Sequence, residues 1–436
     1  MPKLIIPNAY ELYQTGATNL TQDEINARYF YNLRFLWLLE AGDAILLPKP
    51  PAEDFLSYLA EIKNIDLATL NIVILENKHK SLHSAALLDI NLITQLQNII
   101  TSPSEWEIQC CYFSKEIAEL ANQLHLTLSP EWRGLIESDF IRHANSKAEF
   151  RRMAISNHIP VPEGVICLTQ QDLAESIQHL LKITGQVIIK QEYNASGKGN
   201  IGVGVNAKQK FVGVIKTFIN NKYKSINQIA EEIFLTAINA NNSLFVVEVY
   251  HPNKGSFTAQ FRVPAQGQEP KLVNCSEILM ESRWTGVQIP SLTLSIEQTN
   301  SLIGYSNQFS EIMQTGGYRG YLCCDAILTN DNKILFTEIN VRPGAETHAY
   351  VLSELLFGKG YENDMMVLTR NGVRTDSFIE AYTKLKEENL LLSRENKMGI
   401  VILTVDDIYS KQLEYLIAAP DLLSIQTLEK VVNSIL

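Results

Sequence analysis

The chain has 436 residues, which at roughly 150 residues per domain implies two to four domains. Its 46% hydrophobic and 19% charged content excludes a disordered or fibrous chain. With 37 Lys and Arg against 48 Asp and Glu, the net charge of −11 argues against sequence-independent binding to nucleic acid, which needs a basic surface.

The six cysteines lack C-x-x-C spacing and read as buried reduced thiols. No apolar run reaches the 18 or so residues of a membrane span, and the start MPKLIIPNAY has no signal-peptide pattern, so a cytoplasmic protein is expected. From residue 1 to about 140, short apolar runs (KLIIPN, DAILLP, NIVILE, EIQCCYFS) alternate with helical patterns, the first of them from about Thr21 to Glu40. This alternation predicts an open parallel α/β sheet, and no G-x-G-x-x-G follows the first strand to suggest a dinucleotide site. His79 and His83 stand four apart without the glutamate of H-E-x-x-H and read as a solvated helical face.

A second pattern begins near Asn145. SKAEFRRMAISN reads as a helix ended by the prolines of IPVPEG, followed by the strand GVICL, a helix over 170–182 and the strand QVIIK. NASGKGNIGVGV is a glycine-rich turn between strands rather than a Walker A loop, because IGVGV alternates with period two where a helix would be required. Helices are predicted over 208–221 and 225–240, then the strand SLFVVEVY, the strands FTAQFRV and KLVNCSEIL, and a helix near 295–315. YLCCDAILT and KILFTEINV form a β pair joined by NDN, and the tail from about 376 holds a charged helical run, the strand MGIVILTV and a last helix near 424–435.

Two places carry chemistry. Glycines and lysine in Ser196 to Asn200 let backbone N–H groups surround phosphate oxygens. Glu338 and Asn340 share a strand face, and a hairpin through NDN sets Asp325 opposite Glu338, so two carboxylates and a carboxamide converge as oxygen ligands suited to Mg²⁺.

Taken in order, NSKAEF, QVIIKQ, ASGKGNIG, FVVEVY, CCDAIL and FTEINVRPG resemble the ATP-grasp superfamily of carboxylate–amine ligases over about residues 145–360. The resemblance implies an α/β chain of four parts: an N-terminal pre-ATP-grasp domain (1–140), a nucleotide-binding subdomain (141–254), a metal and substrate subdomain (255–370) and a small C-terminal α/β appendage (371–436). It implies that Lys147 and Lys190 hold the α and β phosphates of ATP, and that Ser196, Gly197, Lys198 and Gly199 close over the β and γ phosphates. Glu248 stands for the acid beside the adenine amino group, with the backbone of Val249 and Tyr250 as hinge. Asp325, Glu338 and Asn340 stand for the ligands of Mg²⁺, and Arg342, Lys190 and Lys198 for the catalytic cations.

Two positions depart from the pattern. His251 to Ser256 lacks the acid usual for the ribose hydroxyls, and Cys323 replaces an arginine, whose charge Arg262 or Arg283 could supply. Arg283 and Trp284 read by default as packing residues, with the border of an acceptor pocket as the alternative, and His348 as a helix-cap or surface residue or a neighbour of the metal patch. The flanking domains are similar to those of pheganomycin-type peptide ligases and ligases that load amino acids onto carrier proteins. The implied partners are an amino-acid or peptide carboxylate and an amine, with a carrier-protein thiol as an alternative acceptor and a homodimer as one option. An ATP-grasp kinase and a non-catalytic ATP-binding module are the competing readings. Glu338→Gln is expected to impair turnover while leaving folding nearly unaffected.

Overall fold

The computed structural model describes residues 1–8, 29–76, 82–127, 134–135, 138–193, 199–221, 224–238, 244–281, 284–393, 395, 397–408 and 410–436. Near the N-terminus, β1 (Lys3–Ile6), β2 (Ala44–Leu47), β3 (Asn71–Ile74) and β4 (Glu107–Cys110) pair in parallel in the order β3-β2-β1-β4. Helices α1 (Glu53–Lys63) and α2 (Ile90–Ile99) lie between its strands, and α3 (Lys115–Gln123) follows β4. Leu4, Ile5, Ile6, Ile45 and Leu46 are all fully buried, as expected for central strands covered on both faces. Of the helix expected over Thr21 to Glu40, residues 29–38 are described and are helical, tightening to a 3₁₀ turn at Arg34–Leu38.

The second unit contains α4 (Lys147–Ser156), β5 (Gly164–Cys167), α5 (Gln170–Thr184), β6 (Gln186–Gln191), β7 (Asn200–Gly204), β8 (Lys216–Ile219), α6 (Ile226–Ile238) and β9 (Phe245–Val249). Its sheet runs β5-β9-β6-β7-β8. Helix α5 starts in a Thr169/Asp172 capping box and stops at Gly185 in the left-handed region. The helix expected over 208–221 is absent. That segment instead holds β8, parallel to β7, and Gly213 at φ +72 interrupts any helical run.

The third unit is built on one antiparallel sheet in the order β14-β13-β10-β11-β12-β15-β17-β16. Its elements are β10 (Asn253–Val263), β11 (Lys271–Met280), β12 (Trp284–Ile289), α7 (Ile296–Thr315), β13 (Gly320–Thr329), β14 (Ile334–Asn340), α8 (Thr347–Phe357) and β15 (Met366–Arg374). They are followed by α9 (Phe378–Glu387), β16 (Gly399–Asp406), β17 (Gln412–Ala419) and α10 (Leu422–Ile435). The α/β tail therefore extends the large sheet through β17 and β16, and the expected boundary at residue 370 falls inside β15. Strand alternation places Leu322, Cys324 and Ala326 in the core with Phe309 of α7, and turns Cys323, Asp325 and Ile327 into a cavity shared with the second sheet.

A buried ion network ties the first unit to the tail. Arg34 Nε and Nη2 donate to the two Glu414 carboxylate oxygens at 2.8 and 3.2 Å, and His348 Nε2 lies 3.3 Å from Glu414 Oε2. Trp37 Nε1 donates to the Leu403 carbonyl, and Phe55 packs edge-on to Phe378. Arg34→Ala would leave the fully buried Glu414 without its cation, and breaking such a pair costs roughly 3–5 kcal/mol. We expect a clear fall in the urea midpoint, with Arg34→Met/Glu414→Leu recovering most of it; a loss below about 1 kcal/mol for the single variant would refute the assignment.

Candidate active site

The centre of the site is the β13–β14 hairpin. Asp325 pairs in register with Glu338, and Cys323 with Asn340, so the three expected ligands share one patch. Asn340 Nδ2 donates to Asp325 Oδ2 at 3.0 Å. Burial and the facing Glu338 push the Asp325 carboxyl up from 3.8 to about 8. Burial acts in the same sense on Glu338, but Lys147, Lys190 and Arg342 outweigh it and hold that carboxyl below its ordinary value. Lys147 Nζ lies 3.3 Å from Glu338 Oε2.

The geometry corrects the expectation that Glu338→Gln leaves folding untouched. Glu338 is the better compensated carboxylate, and neutralising it would remove its ion pair with Lys147, which is 8% exposed. The strained partner is Asp325.

The lysines come from the second unit. Ser146 caps α4 by accepting from Glu149 N–H, which sets Lys147 in the first turn, and Lys190 lies near the end of β6. Lys190 Nζ donates to the Thr337 carbonyl at 3.0 Å and lies 2.7 Å from Glu248 Oε2. Arg151, four residues after Lys147 on the same helix, donates to Glu248 Oε1 at 3.1 Å and to the carbonyls of Pro162 and Gly164. Glu248 is 2% exposed, so its carboxylate is committed to two cations as well as to the cavity wall.

The hinge also differs from expectation. Val249 N–H donates to the Glu163 carbonyl and Tyr250 N–H to the Gln186 carbonyl, so these two donors are used within the sheet and do not read a base edge. Beside them, His251 Nε2 meets Glu163 Oε2 at 2.9 Å, which places a carboxylate from before β5 where the residues after the hinge carry none. Gly199 is buried, whereas Ser196, Gly197 and Lys198 lie outside the described residues, as do His79 and Arg283.

These groups line a cavity of about 270 Å³. The lining includes the hinge residues Val249, Tyr250 and His251 with Ile188, the carboxylates and lysines, and Arg342, Glu346, Trp284 and Tyr31. Trp284 thus lines the cavity, and His348 is buried outside the lining residues, 3.3 Å from Glu414. Arg262, by contrast, is exposed and stacks on Tyr321, 4.7 Å from its centroid, so it does not replace the charge missing at Cys323. Sequence reasoning missed Arg151, Glu163 and Glu346; for Arg151 the i, i+4 spacing from Lys147 was an available signal.

Among the described residues, no three His, Cys, Asp or Glu side chains gather as a metal cluster. Two carboxylates and a carboxamide fit a hard cation that keeps water or phosphate oxygens in its shell, and Asp325 and Glu338 repel one another without one. The described cysteines form no disulfide, and no helix is long and apolar enough to cross a membrane.

Residues 32–126 match the Pre ATP-grasp domain family. A comparison with curated proteins finds no match. Among solved structures, the chain is similar to N5-carboxyaminoimidazole ribonucleotide synthetase from Thermus thermophilus, at 12% identity and TM-score 0.58 over 100% of this chain and 98% of that one. Biotin carboxylase from Campylobacter jejuni, solved as a β,γ-ATP complex, gives 12% identity and TM-score 0.60 over 99% and 91%. N5-carboxyaminoimidazole synthetase from Staphylococcus aureus, complexed with ADP, gives 10% and 0.57 over 99% and 97%. The architecture is thus an ATP-grasp fold headed by a pre-ATP-grasp domain.

Between its unfolded value of 3.8 and about 8, the Asp325–Glu338 pair holds a proton in the folded chain that the unfolded chain has lost, with Asp325 the favoured site. The pair's contribution to stability without divalent metal therefore falls as pH rises through that window. Asp325→Asn removes the effect. Its melting temperature relative to wild type should climb from about pH 5 to about pH 8 in the presence of chelator; a pH-independent difference would contradict the assignment.

Proposed function

We propose that the chain is an ATP-dependent carboxylate–amine ligase working through an acyl phosphate. The observation that carries the reading is the cross-cleft pairing of Lys147 and Lys190 with the Glu338 patch, which sets phosphate-type cations against a hard-cation site inside one cavity. The order of motifs and the structural likeness to proteins solved with ATP analogues and ADP support it.

In this reading the base lies between Ile188 and the hinge, its edge left to groups other than the Val249 and Tyr250 N–H donors. Lys147 and Lys190 neutralise phosphate oxygens, and Arg342 holds the donor carboxylate. Asp325, Glu338 and Asn340 hold Mg²⁺, which when bound supplies charge neutralisation to the phosphates; a relative was solved with MgADP. A carboxylate oxygen attacks the γ-phosphorus, the bond to the β-phosphate oxygen breaks and ADP leaves. The amine then attacks the acyl carbon, the bond to phosphate breaks, orthophosphate leaves, and the ammonium proton passes to solvent. The walls exclude water from the acyl phosphate, with the glycine loop as the expected cover.

Pheganomycin-type peptide ligases and ligases for carrier proteins remain the models for the acceptor. A kinase acting on phosphorylated polyols would need a dense basic pocket, and among the described residues the lysines and arginines lining the cavity are Lys147, Lys190 and Arg342.

The test is phosphate release on incubation with ATP, Mg²⁺ and a panel of carboxylates with amines, together with detection of the amide. Glu338→Gln and Asp325→Asn should each lose at least about 100-fold in turnover at saturating Mg²⁺, the scale of removing charge stabilisation from a transition state. Since Asp325→Asn is expected to be more stable than wild type without metal, its loss of turnover cannot be put down to unfolding. Near-wild-type turnover in both variants would sink the reading.

A further inference from the structure

We propose that the cavity end beyond the carboxylate pair is built for a free α-amino acid with an apolar side chain, with Glu346 taking its ammonium and Arg342 its carboxylate; this rests on the ligase reading. Glu346 occupies the N-cap position of α8, is 5% exposed and lines the cavity together with Arg342 and Gly344. Glu346 Oε1 accepts from the Cys323 thiol, whose Sγ lies 3.6 Å away. A Cβ at position 344 would collide with both Glu346 oxygens and with Cys323 Sγ, so the glycine is what lets this carboxylate lie over the chain.

Among the described residues, neither Glu346 nor Arg342 has an ion-pair partner, and Arg342 Nε has no hydrogen-bond partner. A buried carboxylate with no cation in contact is costly, and burial pushes the Glu346 carboxyl up against the weaker opposing pull of Arg342 and Arg34. The surrounding polar groups cannot relieve it. Gln260 Nε2 donates to Thr347 Oγ1 at 2.7 Å, Asn274 Nδ2 donates to Gln260 Oε1, and none of the three carries charge. Two opposite charges thus face one cavity without closing on each other, an arrangement complemented by a ligand that carries both.

Trp284, Val287 and Ile278 give the same cavity an apolar wall. Trp284 is held by the Arg34 guanidinium, 5.0 Å from its ring centroid, and Arg34 is itself locked to Glu414. Among the described residues this surface offers a substrate side chain an apolar face, because that guanidinium is already satisfied.

The test is calorimetric titration of the full chain, saturated with a non-hydrolysable ATP analogue and Mg²⁺ and with no amine acceptor present. L-leucine, L-methionine and L-phenylalanine are compared with their N-acetyl forms. We expect the free amino acids to bind at least about tenfold more tightly, the scale of one charge-assisted hydrogen bond. Glu346→Gln should abolish that preference while leaving affinity for the ATP analogue unchanged. Equal or tighter binding of the N-acetyl forms, no binding of any amino acid, or an unchanged preference in Glu346→Gln would each overturn the inference. If Glu346→Gln does not fold, the wild-type comparison decides alone. Phosphate release with N-acetyl acids at the rate of free ones would overturn this inference and leave the ligase reading standing; no phosphate release with any carboxylate would overturn the ligase reading.

Discussion

Two carboxylates facing each other across neighbouring strands form the constraint around which this molecule is arranged. Asp325 and Glu338 are in register, and like charges at such a pair destabilise a sheet. The structure answers them differently. Asp325 receives the Asn340 carboxamide and is driven toward its protonated form, whereas Glu338 receives Lys147, with Lys190 and Arg342 near enough to favour its charge. Since both lysines belong to the smaller sheet's unit, compensation of a charge on one sheet is also what draws the other sheet across the cavity. Local repulsion has become a source of inter-sheet attachment.

The same logic recurs at a distance from the carboxylates. Glu248 joins Arg151 of α4 to Lys190 of β6, and Glu414 joins Arg34 to His348. Both acids are buried, and both connect residues far apart in sequence. Buried ion pairs contribute little net stability but tolerate few alternative arrangements. Here they anchor α4 through Arg151 and α8 through His348, and the starts of those helices carry Lys147 and Glu346. The pre-ATP-grasp domain reaches the cavity through Arg34, which props Trp284, rather than by sending a charge into it.

Local patterns made the β13–β14 hairpin legible. Period-two alternation placed Glu338 and Asn340 on one face, and the short NDN turn fixed Asp325 opposite, so no long-range knowledge was needed. Lys147 and Lys190 were legible only through the order of motifs. What stayed hidden was long-range pairing. Nothing in MGIVILTV says that it closes the far edge of a sheet begun 146 residues earlier at Asn253, because an apolar run specifies burial and not a partner. The 208–221 segment misled for the opposite reason, since its apolar residues suit a helix until Gly213 and the pairing of β8 with β7 are considered. The hinge donors were invisible because backbone hydrogen bonds leave no trace in side-chain identity.

Cys323 shows how one neutral residue reshapes the cavity. On β13 it stands two residues before Asp325, on the same face, where the resemblance called for an arginine. A guanidinium there would have met Glu346 directly and closed a buried pair. The thiol is too weak a donor to do so, and burial with Glu346 and Asp325 nearby pushes it well above its ordinary value, keeping it protonated. Exchanging a cation for a thiol therefore does two things at once. It leaves Arg342 lining the cavity without an ion pair among the described residues, and it leaves the Glu346 carboxylate with no cation in direct contact among them. Specificity at this end is then set by an omission in the protein's own pairing rather than by an added contact, and a ligand lacking a cation would have to enter against the cost of a buried, uncompensated carboxylate.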